Sequence, residues 1–225
     1  ESHGITVAGS SSVEIRNCEA SGNEHAGYAF SANAKALSEN NRASQNNIGF
    51  QISGNSEATL RDCESISNTL FGIGCEGDSK GVLENNKCWN GRNEAHVPKQ
   101  SVGILLSGNT AFSVTGNQCS GHRRDGITAR RNTQSELKHN TLTGNVVCGI
   151  GVYERAVVTV MENDCSRNRY GIHVQSTARG TKVARNNKCF RNSRYGVQNL
   201  RSWAWRPIAF WANLFNDPVG PDPPV

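Results

Sequence analysis

The 225-residue chain carries 24 Lys and Arg against 19 Asp and Glu, a mild net charge of +5, with 36% apolar residues. It is long enough to bury a core, too weakly charged to be read as disordered, and without an apolar run long enough to cross a bilayer. Gly and Asn are abundant, Met is almost absent and Pro gathers at the end, a mix that suits short strands and tight turns over helices. Starting at Glu1 without Met or a signal peptide, it reads as a mature chain or an excised piece of something longer.

In chain order, a Gly followed by an apolar residue recurs at Gly4-Ile5, Gly27-Tyr28, Gly49-Phe50, Gly72-Ile73, Gly103-Ile104, Gly126-Ile127, Gly149-Ile150, Gly171-Ile172 and Gly196-Val197. The steps are 23, 22, 23, 31, 23, 23, 22 and 25 residues. A period of this size marks stacked supersecondary units. After each Gly the apolar residues alternate, as in Ile104 and Leu106 or Ile172 and Val174, which predicts a strand with one buried face. A second phrase follows in most repeats: "NRASQN" (41–46), "NQCSGH" (117–122), "NTLTGN" (140–145), "NDCSRN" (163–168) and "NKCFRN" (187–192). Asn tolerates left-handed backbone and stacked amides bond from rung to rung, so these Asn are expected to make the turns and to form ladders.

Of the eight Cys, Cys88, Cys119, Cys165 and Cys189 share one repeat slot with Leu142 and Ala43, so that slot is small, buried and apolar. "RNC" (16–18) and "RDC" (61–63) depart from the frame, setting Cys two residues further from the closing Asn. No C-x-x-C pair exists, and neither a metal nor another cofactor is expected. Unpaired cysteines lean toward a reducing compartment, a polysaccharide ligand toward secretion.

Repeats of this length, with no helical periodicity between the strands, predict an all-β fold. It is a single-stranded parallel β-helix of about nine coils over residues 1–200, a rod of roughly 40 Å at ~4.8 Å per rung. A leucine-rich repeat needs several Leu per unit, and a propeller blade is about twice as long. The run of "N-x-C/L-x-x-N…G-I" units over residues 4–200 resembles the right-handed parallel β-helix repeat superfamily. Its members include pectate lyases, alginate lyases and epimerases, NosD-like proteins, and carbohydrate-binding and sugar-hydrolase domains. The resemblance implies a right-handed coil, and carbohydrate as the ligand class.

Outward parity falls two and four residues past each Gly. Most of those positions are small or neutral, but Arg130, Tyr153, His173 and Gln175 cluster on three successive turns. Rungs ~4.8 Å apart would set them along one shallow groove, and Gly151 leaves a gap beside His173 for a ring or sugar. Arg123, Arg124 and Asp125 lead into the first of these turns, and Glu154 and Arg155 follow Tyr153. The grouping suits an anionic, uronate-type polysaccharide. For a lyase or C5-epimerase, Arg130 would neutralise the carboxylate, His173 would take the C5 proton and Tyr153 would protonate the leaving oxygen. Gln175, Arg124, Arg155, Glu76 and Trp89 are the candidate substrate-binding residues. The resembling enzymes carry features missing here: no Asp-Pro precedes His173, and no Asp cluster marks a calcium site. Glu76 stands alone on the outward rows, so hydrolysis by a carboxylate pair is least supported. His25, His96, His122 and His139 scatter over turns, and His122 replaces a turn Asn as a structural residue.

The long step holds an insertion (89–100) in which Trp89 and His96 would form a sugar-stacking wall. Beyond Leu200 the repeat stops. Ile208, Trp211, Leu214 and Phe215 fall at helical spacing between Pro207 and Pro218, predicting a short aromatic cap over 201–225 with a Pro-rich tail. That cap is also a candidate docking segment for another protein chain. Three classes stay open: a carbohydrate-recognising domain, a uronate lyase or epimerase, and a non-catalytic scaffold for protein interaction within a larger protein. Neither nucleic acid nor membrane is an expected partner, because Arg is scattered and aromatics do not interleave with it.

Overall fold

The computed structural model describes residues 2–90, 100–184 and 186–199. Three parallel sheets of nine, eight and six strands run the length of a solenoid, each strand pairing with its counterpart one winding away. The nine strands of the first sheet begin at Ile5–Val7 and end at Tyr195–Asn199, enclosing about eight full turns. Its fourth to eighth strands are Phe71–Gly77, Val102–Gly108, Ile127–Arg131, Cys148–Val152 and Tyr170–Val174. The expected all-β coil is present, and no helix occurs among the described residues. The expected cap over 201–225 and His96 lie outside them.

Register equals the repeat period. Ile127 pairs with Ile150, Ile150 with Ile172 and Ile172 with Val197, so residues 22 to 25 apart in sequence become neighbours in one inward column. These side chains are buried, as are Tyr28 and Phe50, whose rings stack at 4.7 Å. Fully burying one such side chain contributes about 1.5–3 kcal/mol. The shared Cys slot is confirmed as an inward column: Ala43, Cys88, Cys119, Leu142, Cys165 and Cys189 are all buried, and all eight thiols are free.

The Gly of the repeat phrase is required by close approach. A Cβ on Gly103 would lie 2.5 Å from the Gly126 carbonyl oxygen and 2.8 Å from His122 Nε2. The left-handed backbone sits elsewhere. Each winding bends at three corners, typically by one residue with positive φ: Ala32, Arg131 and Glu154 at one corner, Asn40, Asn85 and His139 at the next, Gln45, Ser67 and Arg167 at the third. The ladder Asn follow these residues and do not make the bend themselves, which corrects the expectation that one Asn does both.

The ladders are built as expected. Asn86, Asn117, Asn140 and Asn163 each donate Nδ2 to the next Oδ1 at 2.9–3.0 Å, and the ladder ends at Asn187. Cys63, placed off-frame by the sequence, occupies this same column and donates its backbone N–H to Asn86 Oδ1; Cys18 does the same toward Asn41. A second ladder runs through Asn23, Asn46 and Asn68 and resumes at Asn145 and Asn168. Between the two segments the column is filled by Gln100 and by His122, the latter as a buried structural residue in place of an Asn.

Candidate functional site

The outward face of the first sheet holds a groove of about 480 Å³ lined from the fourth to eighth windings, within the usual range for ligand sites. Its floor is the column two residues past each Gly, where Leu105 pairs with Thr128 and Thr128 with Gly151. Sequence parity predicted a solvated face, yet Leu105 is 2% and Thr128 6% exposed, because flanking columns rise on both sides. One wall is Leu70, Phe71 and Val102 with Arg124 at its end; the other is Arg130, Tyr153, Glu154 and Gln175.

Arg130, Tyr153, Gln175 and Arg124 thus line one groove. Arg130 Nε donates to the buried Ser107 Oγ at 3.0 Å, fixing its direction. Gln175 Oε1 accepts the Glu154 N–H at 2.8 Å. Among the described residues neither Arg124 nor Arg130 has a carboxylate within ion-pair distance, whereas Arg16, Arg42 and Arg61 are all paired. His173 stands just beyond the groove, its ring 5.7 Å from that of Tyr153 and 5.8 Å from that of Tyr170. His173 Nδ1 lies 2.7 Å from Gln198 Oε1. With that oxygen as acceptor, Nδ1 is the donor.

The gap at Gly151 is filled from within, contrary to expectation. A Cβ there would meet Tyr153 Cε2 at 2.5 Å and its hydroxyl at 2.6 Å, so the missing side chain admits Tyr153's own ring. That ring reaches Asp125, a residue the sequence placed in a turn and the fold buries completely. Asp125 Oδ2 accepts from Thr128 Oγ1 at 2.7 Å and from the Tyr153 hydroxyl at 3.1 Å, and Oδ1 accepts the Cys148 N–H at 3.1 Å. Burial, reinforced by the Asp125 charge, pushes the Tyr153 phenol and the Cys148 thiol well above their ordinary ranges, so both stay protonated. The signal for Asp125 was in the sequence. From the second repeat on, the residues just before each Gly run Ala26, Ile48, Phe71, Val102, Asp125, Cys148, Tyr170 and Tyr195, and a lone carboxylate breaks an otherwise apolar column.

The remaining candidates lie apart. Glu76 shares a column with Ser107 and Arg130 but stands two rungs from Arg130 and outside the groove. Arg155 is exposed beyond the corner. Trp89 is 37% exposed on Lys87–Trp89 of the six-stranded sheet, which is a different face. The inserted segment beyond it is described only at its ends, where Asn90 Oδ1 accepts the Gln100 N–H at 2.7 Å. Among the described residues no trio of His, Cys, Asp or Glu is placed to hold a metal ion.

A family model described as a right-handed beta helix region matches residues 1–97 and again 92–203. No curated protein matches the sequence.

Proposed function

Because the chain belongs to the right-handed β-helix family, whose fold sets no single activity, we propose its function from the groove: recognition of an anionic, uronate-type polysaccharide. The observation that carries this is the pair of guanidinium groups, Arg124 and Arg130, without carboxylate partners on a groove that also offers an apolar wall. A pyranosiduronate has both complements, an ionised carboxylate at its edge and a C–H face. Arg presents a planar fork to the carboxylate, while Gln175 takes part in orienting hydroxyls.

Lyase or epimerase chemistry is a second reading, favoured by proximity: the rings of Tyr153 and His173 lie 5.7 Å apart, and Arg130 stands one rung from Tyr153, where it would neutralise the uronate. The test is retention of the protein on alginate, pectate and glycosaminoglycan resins, followed by ultraviolet absorbance for an unsaturated product. Arg124→Gln and Arg130→Gln should each weaken binding roughly tenfold, the size of one lost charge-assisted hydrogen bond, and added salt should weaken the wild type in the same direction. Product formation that is lost in His173→Ala establishes the lyase. Binding without product establishes a recognition domain. No binding to any of the three leaves the scaffold reading.

A further inference from the structure

We infer that the uronate chain bound in the groove carries an O-acyl substituent, seated on the apolar wall next to the unit held by the two arginines. This deepens the uronate reading and rests on it. The groove is lined from five successive windings, so its long axis follows the rod and spans roughly 19 Å at ~4.8 Å per rung. A ligand that fills it is a linear chain of several units laid across the strands.

Polarity changes along that axis. Arg130 lies on the sixth strand, and Tyr153 and Gln175 directly follow the seventh and eighth, whereas the fourth and fifth contribute Phe71, Val102 and Leu105, with Leu70 at the rim. In this apolar stretch the one side-chain hydroxyl is that of Ser101. A bare uronate unit can lay its C–H face on this stretch, but it bears hydroxyls around its rim. Seated there, they would leave water without partners, which costs about 1–3 kcal/mol for each unpaired group. Leu70 is 40% exposed and Phe71 is half-buried, so the wall retains apolar surface for a ligand to cover. An acyl ester resolves both mismatches: it replaces a hydroxyl donor with an ester and lays its alkyl part on Leu70 and Phe71. The cationic end still requires a free carboxylate on the adjacent unit, so the ligand is acylated on oxygen and is not esterified at that acid.

The experiment is calorimetric titration of the wild-type chain with hexamannuronate and hexagalacturonate, each unmodified and chemically O-acetylated, with octyl sulfate as a lipid-like competitor. The acetylated form of the hexamer that binds should bind about fourfold tighter or more, the worth of one buried methyl-sized group. In Leu70→Ser, with its fold checked by circular dichroism, the ratio of the two affinities should fall toward one. Equal binding of both forms by the wild type overturns the inference and leaves the uronate reading standing. Octyl sulfate displacing the acetylated hexamer with equal potency overturns it in favour of an amphiphile. Failure of every hexamer to bind overturns this inference, and the uronate reading falls with it when none of the three resins retains the protein.

Discussion

His122 carries the clearest consequence of a single residue. It fills an Asn slot in the second ladder, completely buried, its backbone N–H donating to Asn145 Oδ1 and its Nε2 to the Cys88 carbonyl at 3.0 Å. Its Nδ1 has no partner among the described residues, and neither does Oε1 of Gln100 in the same column. Burial pushes the imidazole down to about 4, against about 6.5 in an unfolded chain. Between those values the unfolded state binds more protons, so stability falls as pH drops from about 6.5 to about 4 and loses nothing further from this group below that. The shift corresponds to about 3 kcal/mol. His122→Asn removes the titrating group and restores an amide. The urea midpoint of the variant should match or exceed that of the wild type above pH 7 and decline less between pH 6.5 and 4. Parallel pH profiles for the two proteins would refute this account of the column.

At the scale of the element, the ladder outweighs the corner. Asn140 donates Nδ2 to Val114 O and to Asn163 Oδ1, and its own Oδ1 accepts from the backbone and side chain of Asn117. Asn140→Leu leaves several of these buried groups without partners, at about 1–3 kcal/mol each. A loss of about 3 kcal/mol or more in unfolding free energy is expected from urea titration. A corner substitution such as Ala32→Gly, at φ 61°, should change stability by about 1 kcal/mol or less, since relief of left-handed strain is offset by backbone entropy. This contrast explains which elements could be read from the sequence. Ladder and inward columns repeat the same residue type every winding, because each must match its neighbour above and below. Corners accept Ala, Asn, Gln, Ser, Arg, His or Glu, so their identity was hidden. The groove was half legible for a related reason. Parity placed Arg130, Tyr153 and Gln175 on one flank, but parity alone cannot report that Tyr153 folds back over Gly151 or that Asp125 turns under it. Trp89 was misleading because the insertion after it broke the count and drew it toward a face it does not share.

For the whole molecule, the exposed charges record how windings stack. Three columns of the first four windings alternate in sign: Lys35, Glu57, Lys80; Arg16, Glu39, Arg61, Glu84; and Glu19, Arg42, Glu64, Lys87. Adjacent members approach as ion pairs, among them Arg16–Glu39 at 2.7 Å, Arg61–Glu84 at 2.9 Å and Arg42–Glu64 at 3.3 Å. Single exposed pairs contribute little, but a column whose sign alternates penalises every odd slip of register at once. Removing residues 28–49 excises one winding and joins Gly27 to Phe50 with the strand parity intact. Arg16 then faces Arg61 and Glu19 faces Glu64. Removing residues 28–72 excises two windings, and Arg16 then faces Glu84 while Glu19 faces Lys87. A solenoid whose stability is a sum over neighbouring windings would lose more from the larger deletion. If sign alternation governs stacking here, the gap between the two deletion variants should be smaller than that sum requires, or reversed, at low ionic strength. Because exposed pairs are screened, the larger deletion should fall further behind as salt is raised. Thermal midpoints of the two variants at low and high salt decide it, and an ordering set by core size alone, unmoved by salt, would assign the stacking of these windings to the ladders and the core.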